Sequence, residues 1–172
     1  FSKFVVLTKG NKKEWKSLRN MMVIPNPLSF YPDESSSLEN KTVICVGKIS
    51  YQKGQDILMK AWNLVHEKHP DWKLELYGQA NDTFLKVQNL EGKNVFYFPP
   101  EKNIEEKYLQ SSVYVMSSRF EGFGMVLIEA MACGVPCVSF DCDYGPSDII
   151  SNGEDGFIVE KENEMQLADK IL

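Results

Sequence analysis

The sequence predicts an α/β fold with a doubly wound parallel sheet. Short apolar runs alternate with amphipathic segments along residues 41–172, and this alternation is typical of consecutive βα units. Several of the apolar runs are nearly continuous, as at 113–116, which indicates parallel strands covered by helices on both faces. Sheets of this kind bind their ligands beyond the carboxyl ends of the strands.

The elements follow in order along the chain. The predicted strands are the apolar runs at 41–46, 72–77, 94–98, 113–116, 136–140 and 156–159. The predicted helices are the amphipathic segments at 54–69, 83–90, 104–110, 125–132, 147–150 and 164–172. Each strand is followed by a helix, which is the crossover that a parallel pair of strands requires.

The residues before 41 predict a separate unit. A strand at 4–8, a charged helix at 11–19 and a second strand at 21–24 come first. Pro25 and Pro27 then interrupt regular structure, and a polar stretch with three consecutive serines follows. We interpret this unit as the last βαβ piece of a preceding domain, joined to the main domain by a linker.

The domain boundaries follow from these changes in pattern. We expect residues 1–28 to end the preceding domain, residues 29–40 to form the linker and residues 41–172 to form the main domain. The chain begins at Phe1 and ends at Leu172 inside a predicted helix. We therefore expect it to be part of a longer protein, with the C-terminal end truncated.

The composition excludes several classes of protein. Hydrophobic residues make up 43% and charged residues 25% of the chain, which is typical of a soluble folded domain. The net charge of -5 argues against a nucleic-acid partner, and no apolar run reaches the ~20 residues of a membrane span. The cysteines form no CxxC pair, which favours buried thiols in a reducing cytoplasm: Cys45, Cys133, Cys137 and Cys142. We expect a cytoplasmic protein.

The first candidate site is the loop after the first strand of the main domain. Gly47 allows the backbone to turn, and Lys48 and Lys53 supply cations next to a helix start, a suitable place for a diphosphate. The loop lacks the GxGxxG and GxxxxGK[ST] spacings, so it is neither a dinucleotide fingerprint nor a Walker loop. An ordinary solvated loop is the alternative.

The second candidate site is the glycine-containing turn after residues 113–116. Gly122 and Gly124 precede a predicted helix whose N-terminus attracts anions. Glu121 stands before this helix and Glu129 inside it, about 12 Å apart along a helical path. Carboxylates accept hydrogen bonds from hydroxyls, so the pair suits the two ends of a sugar-diphosphate-ribose unit. In the alternative, Glu121 caps the helix and Glu129 pairs with a lysine.

Together and in this order, the two motifs resemble the C-terminal domain of glycosyltransferase family 4, which has the two-Rossmann GT-B architecture. That family shows two glutamates separated by seven residues, matched here by Glu121 and Glu129. It also shows a basic glycine loop, matched by Lys48 and Lys53. The resemblance covers residues 41–172, and residues 1–28 are similar to the end of the family's N-terminal acceptor domain. It implies a Rossmann-like fold and a hexosyltransferase of the bacterial polysaccharide type.

The resemblance also implies how the donor diphosphate would be bound. Lys48 and Lys53 would contact it, together with the backbone amides of Gly124, Met125 and Val126. The family usually has arginine at the first of these positions, so Lys48 keeps the charge and loses the bidentate geometry.

The remaining parts of the donor are assigned in the same way. Glu129 would hold the ribose hydroxyls. Glu121 would contact the transferred sugar and act as the catalytic residue, beside the amides of Phe123 and Gly124. The base would lodge at the end of the third strand, near Phe98 and Pro99.

The implied activity is the retaining transfer of a hexose from a nucleoside diphosphate sugar, a UDP-sugar, to a glycan or lipid-linked acceptor. Such enzymes work without a metal or other cofactor, so lysines and a helix dipole would ease diphosphate departure. The acceptor-side residues would lie in the preceding domain, so this chain alone would bind donor but be inactive. Peripheral association with the inner face of the membrane would also reside there.

One motif that we attribute to chance and two alternative functions also have to be considered. Asp141 and Asp143 match the metal-binding DxD of another glycosyltransferase architecture, but the spacing is common by chance and we expect no metal site. An epimerase or phosphorylase of the same architecture is a rival, distinguished by donor turnover without acceptor. A non-catalytic nucleotide-binding module is another, distinguished by binding that does not depend on the sugar.

Overall fold

A computed structural model describes residues 3–15, 17–80 and 93–172. This part of the chain contains a two-stranded sheet and a six-stranded sheet, and all the strand pairs in both are parallel. The helix predicted at 83–90 lies outside the described residues.

The small sheet belongs to the first βαβ unit. Strand β1 (Phe4–Val6), helix α1 (Lys9–Glu14) and strand β2 (Met21–Val23) follow one another, and β1 pairs with β2 in parallel. The Thr8 hydroxyl accepts a hydrogen bond from the Asn11 amide at 2.9 Å, which fixes the start of α1 by an N-cap.

The extent of α1 differs from its prediction. The helix was expected over 11–19 and is observed over Lys9–Glu14. The cap at Thr8 starts the helix two residues earlier than the charge pattern indicated. At the other end, Trp15 leaves helical geometry with φ −85° and ψ 51°, and its carbonyl accepts a turn hydrogen bond from the Leu18 amide.

The large sheet confirms the predicted fold class. Its strands all lie within one residue of their predicted bounds: β3 (Thr42–Val46), β4 (Lys73–Tyr77), β5 (Val95–Phe98), β6 (Val113–Met116), β7 (Cys137–Phe140) and β8 (Gly156–Val159). The strand order is β5-β4-β3-β6-β7-β8. Because β3 comes first in the chain and lies inside the sheet, the order reverses between β3 and β6, and this reversal creates the crevice where doubly wound sheets bind ligands.

Within the described residues, the helices of this domain also lie within one residue of their predicted bounds. They are α2 (Gln55–Lys68), α3 (Ile104–Leu109), α4 (Met125–Ala132), α5 (Pro146–Ile149) and α6 (Glu164–Ile171), and a 3-10 turn (Tyr51–Lys53) precedes α2. In the described ranges, no helix combines the length and the apolar character needed to cross a bilayer.

Two apolar layers enclose the large sheet. One layer packs the sheet against α2 and α6 and includes the fully buried Trp62 and Leu167. The other packs it against α3 and α4 and includes the fully buried Tyr108 and Leu127. Successive residues of β3 and of β6 enter opposite layers, because the pleat alternates side chains between faces. The sheet is therefore covered by apolar packing on both faces.

The four cysteines are free and buried, as predicted. Desolvation raises the pKa of Cys45 and of Cys142 to about 12 and that of Cys133 to about 11. Burial also raises the pKa of Cys137. They are packing residues with protonated thiols.

Candidate functional site

The two predicted motifs meet at the carboxyl ends of β3 and β6, where the strand order reverses. We call residues 47–54 the lysine loop and residues 117–124 the glutamate loop. Gly54, with φ +65°, closes the lysine loop, and a side chain there would come within 2.0 Å of the Ser117 carbonyl oxygen. Only glycine permits this approach, so the two loops are in backbone contact.

Hydrogen bonds join the loops along their length. The Arg119 amide donates to the Gln52 carbonyl at 2.8 Å, and the Gln52 side chain donates to the Phe120 carbonyl at 3.2 Å. The Ser117 hydroxyl donates to the Lys53 carbonyl at 2.9 Å. The lysine loop and the glutamate loop therefore form one unit.

The Arg119 side chain also stabilises the contact between the lysine loop and the glutamate loop. Its guanidinium donates two hydrogen bonds to the Asp56 carboxylate, at 2.9 and 2.7 Å, and one to the Tyr51 carbonyl at 2.6 Å. It also contacts the Glu162 carboxylate and lies 3.9 Å from the centre of the Tyr51 ring. Arg119 is only 8% exposed, so this bidentate pair fixes the geometry of both loops.

The interaction between Asp56 and Arg119 shifts the pKa values of both groups. Burial raises the pKa of Asp56, but hydrogen bonds and the positive charge of Arg119 outweigh it, so the net pKa is below its usual value of 3.8. Hydrogen bonding to Asp56 raises the pKa of Arg119. The sequence analysis did not predict a role for Arg119. Its position in the loop that contains Glu121 would have been a reason to include it.

Lys53 and Glu121, predicted to contact different parts of the donor, form an ion pair. Lys53 Nζ lies 2.6 Å from Glu121 Oε1, and the Ser118 hydroxyl donates to the same oxygen at 2.6 Å. The Glu121 side chain is 8% exposed, and a buried carboxylate needs such partners. Its alternative role as a helix cap does not hold, because Gly124 is the N-cap of α4 and no side chain caps that end.

The N-terminus of α4 directly follows the glutamate loop. Gly124 adopts φ 90° and ψ 50° and turns the chain into the helix. The first amides of a helix have no intrahelical acceptor, so those of Met125 and Val126 are available to an anion. Both side chains are half-buried. Phe123 is buried, and the predicted sugar contact is made by its backbone amide.

Glu129 lies one turn along α4 and has two hydrogen-bond donors. The Ser29 hydroxyl donates to Oε1 at 2.8 Å, and the Tyr108 hydroxyl donates to Oε2 at 3.2 Å. The alternative of a lysine partner does not hold, since no ion pair within the described residues includes Glu129. The side chain is half-buried, so part of it remains open to solvent.

A cavity of about 300 Å³ opens beside the ends of β3, β4 and β5. Phe98 ends β5 and stacks on Tyr77, with ring centres 4.8 Å apart. The predicted base residues Phe98 and Pro99 are next to this cavity but are not among its lining residues. The lining consists of Val46, Gly47, Lys48, Tyr77, Gly78, Gln79, Pro100, Glu101 and Ile104.

Asp141 and Asp143 follow β7 and are both exposed. The Asp143 carbonyl accepts a long hydrogen bond from the Glu121 amide at 3.4 Å, and Phe120 and Asp143 form a bridge. Asp143 thus supports the glutamate loop through its backbone. Among the residues described, no three His, Cys, Asp or Glu side chains are grouped closely enough to hold a metal ion.

The comparison with protein families identifies the fold family. The family model described as "Glycosyl transferases group 1" matches residues 31–172. The chain belongs to this family of glycosyltransferases. Membership confirms the resemblance drawn from the glutamate and lysine motifs, and the strand order confirms the Rossmann-like fold of a GT-B enzyme.

Individual relatives of the chain are also named as glycosyltransferases. The chain is 34% identical to an uncharacterised glycosyltransferase of Haemophilus influenzae, covering 94% of this chain and 48% of that protein. It is also 34% identical to the amylovoran biosynthesis glycosyltransferase AmsD of Erwinia amylovora, covering 96% and 50% respectively. The chain therefore spans about half the length of these curated relatives.

A solved structure is similar over the whole chain. Staphylococcus aureus TarM, crystallised as a mutant with fondaparinux, α-GlcNAc-glycerol and UDP, superimposes with a TM-score of 0.86 at 28% identity. The match covers 100% of this chain and 36% of TarM.

Proposed function

We propose that this chain is the donor-binding part of a retaining glycosyltransferase that transfers a hexose from a UDP-sugar to a glycan or lipid-linked acceptor. The observation that carries the proposal is the ion pair of Lys53 with Glu121 at the reversal of strand order, directly before the N-terminus of α4, the helix that contains Glu129. The similarity to AmsD and to TarM, which was crystallised with UDP, supports a UDP-sugar and a glycan acceptor.

In this proposal the diphosphate lies across the junction of the two loops. The exposed Lys48 and the half-buried Lys53 supply positive charge, and the amides of Gly124, Met125 and Val126 supply hydrogen bonds. A helix N-terminus stabilises negative charge. The same groups would stabilise the charge that develops on the departing diphosphate, since preorganised donors act most strongly in the transition state.

The other parts of the donor are placed on either side of the diphosphate. Glu121 lies before α4 and would contact the transferred sugar with the amide of Phe123, whereas Glu129 would accept hydrogen bonds from the ribose hydroxyls. The cavity beside Phe98 and Pro99 has room for a base. Carboxylates suit both sugars because they only accept hydrogen bonds and the hydroxyls donate them.

We further propose the domain assignment that this function requires. Residues 1–28 would end an acceptor domain, residues 29–40 would link the domains, and residues 41–172 would bind the nucleotide sugar. The enzyme would act in the cytoplasm, at the inner face of the membrane where its acceptor is lipid-linked.

The test is calorimetric titration of UDP into the protein in buffer with EDTA. Glu129→Ala should weaken UDP binding by about 1–3 kcal/mol, the loss expected when hydrogen bonds to a charged acceptor vanish. Glu67→Ala, which removes an exposed glutamate from α2, is the matched control and should leave the affinity unchanged. Equal UDP affinity in wild type and Glu129→Ala would contradict the assignment of this residue to ribose.

A further inference from the structure

The Glu129 carboxylate is held from two sides by separate segments of the chain. Ser29 belongs to the segment 29–40, and its hydroxyl donates to Oε1 at 2.8 Å. Tyr108 belongs to α3, and its hydroxyl donates to Oε2 at 3.2 Å. Each carboxylate oxygen therefore has one protein donor, and the plane of the carboxylate is set by two neighbours that do not belong to its own helix.

We propose that Ser29 and Tyr108 are positioning residues that orient the Glu129 carboxylate toward a ribose diol, so that the site selects ribonucleotides over nucleotides that lack the diol. The inference rests on the proposed function, because it takes the partner of Glu129 to be ribose. An ionised carboxylate has about four lone-pair positions. Two protein donors leave about two, the number that two vicinal hydroxyls require.

Tyr108 is suited to a fixed orienting role. Its side chain is fully buried, and its ring lies between Phe30, 6.5 Å away in a stacked arrangement, and Tyr114, 6.0 Å away and edge-on. Desolvation, with the charge of Glu129, raises the pKa of Tyr108 well above its ordinary value. The hydroxyl therefore keeps its proton and remains a hydrogen-bond donor to the carboxylate.

Ser29 is exposed, yet the chain around it is fixed to the domain. Phe30 packs on Tyr108. Further along, Ser36 donates from its amide to the Cys133 carbonyl at 2.8 Å and from its hydroxyl to the Ser111 carbonyl at 2.6 Å. The Ser29 hydroxyl is thus held near Glu129 by bonds on its C-terminal side, and the segment that starts at Ser29 forms part of the ribose site.

The experiment compares UDP with 2′,3′-dideoxy-UDP in calorimetric titrations of the wild type, Ser29→Ala and Tyr108→Phe. The measured quantity is the ratio of the two affinities. We expect a wild-type preference for UDP, and a ratio about fivefold lower in each variant, as expected when one hydrogen bond of about 1 kcal/mol is lost. Dideoxy-UDP should bind all three proteins alike.

Two matched variants control for ordinary structural effects. Tyr114→Phe removes another buried hydroxyl from the same apolar layer, one that donates to the Val46 carbonyl. Ser37→Ala removes a serine hydroxyl from the same segment, one that accepts from the Glu39 amide. Both should keep the wild-type ratio. Should Tyr108→Phe fail to fold, the exposed Ser29→Ala still decides the question.

The outcomes separate this inference from the proposed function. If the wild type prefers UDP and both variants keep that preference, the positioning role is wrong while the ribose assignment stands; this holds even if a variant binds both ligands more weakly. A wild type that binds both ligands equally well, or binds neither, overturns the ribose assignment and the inference together.

Discussion

Lys53 Nζ lies 2.6 Å from Glu121 Oε1, so one ion pair joins the residue proposed for the diphosphate to the residue proposed for the sugar. Each residue partly neutralises the charge of the other. A diphosphate that approaches Lys53 also approaches the negative charge of Glu121, which opposes binding of the nucleotide alone. The two residues therefore have opposite expected effects on nucleotide affinity.

Glu121→Gln should separate the sugar from the nucleotide. We expect UDP to bind a few-fold more tightly, because a negative charge next to Lys53 is removed. The advantage of a UDP-hexose over UDP should fall, because the carboxylate that accepts from the sugar hydroxyls is gone. Titration of both ligands measures this, with the exposed Glu154→Gln as control. An unchanged ratio of the two affinities would contradict the sugar assignment.

Lys53→Met should weaken UDP binding about 10- to 150-fold, corresponding to the ~1.5–3 kcal/mol of a hydrogen bond to a charged group. Lys41→Met, which removes an exposed ion pair with Asp71, should leave binding unchanged. The double variant Lys53→Met/Glu121→Gln should bind UDP better than Lys53→Met, since it also removes the negative charge that Lys53 no longer balances. Wild-type affinity in Lys53→Met would count against a diphosphate contact.

Arg119→Met should destabilise the fold by about 3 kcal/mol, at the low end for a broken buried pair, because Asp56 and Glu162 retain some access to solvent. Urea denaturation gives the free energy of unfolding. Lys170→Met removes an exposed pair with Asp169 and should cost less than about 1 kcal/mol. An equal decrease in the free energy of unfolding in the two variants would show that Arg119 does not stabilise the contact between the lysine loop and the glutamate loop.

The Asp56–Arg119 pair predicts a loss of stability in acid. Because the pKa of Asp56 is below its usual 3.8 in the folded state, the folded protein binds fewer protons than the unfolded chain there. The pair's contribution is complete above the unfolded pKa and is lost as the pH falls through the folded value. Urea midpoints between pH 5 and pH 2 should fall less steeply in Asp56→Asn than in wild type. The exposed Asp33→Asn should reproduce the wild-type slope.

The native thiols should be unreactive. Because burial raises the pKa of Cys45 to about 12 and that of Cys133 to about 11, few thiolates exist at pH 8 and the reagent has no access. We expect a disulfide reagent such as DTNB to label none of the four cysteines in minutes in the native protein, and all four in urea. Rapid native labelling would mean that a cysteine is accessible.

The sequence predicted the elements because local patterns determine them. Strands such as Val113–Met116 and the helix Met125–Ala132 were placed without error, since continuous apolar runs and a glycine boundary mark them. The start of α1 was missed because one hydroxyl, that of Thr8, sets it. A cap outside the charge pattern is a weak sequence signal.

The side-chain pairings of the site lay beyond sequence analysis. Lys53 and Glu121 are 68 positions apart, and Arg119 and Asp56 are 63 apart. Only the reversal of strand order brings them together, and a spacing rule contains no information about such distances. The same holds for Glu129, whose partner Ser29 is 100 positions away. Ser29 was assigned to a linker, and no contact was expected of it.

The attachment of the segment 29–40 also determines where the molecule can bend. Phe30 and Ser36 attach this segment to the helices and loops that surround the large sheet. A rotation of the β1–α1–β2 unit that preserves these bonds must release the Gly10 amide from the Asp148 carboxylate, 3.1 Å away, and has its hinge upstream, at residues 25–28. Two of those four residues are prolines, whose fixed φ confines the rotation to few torsions.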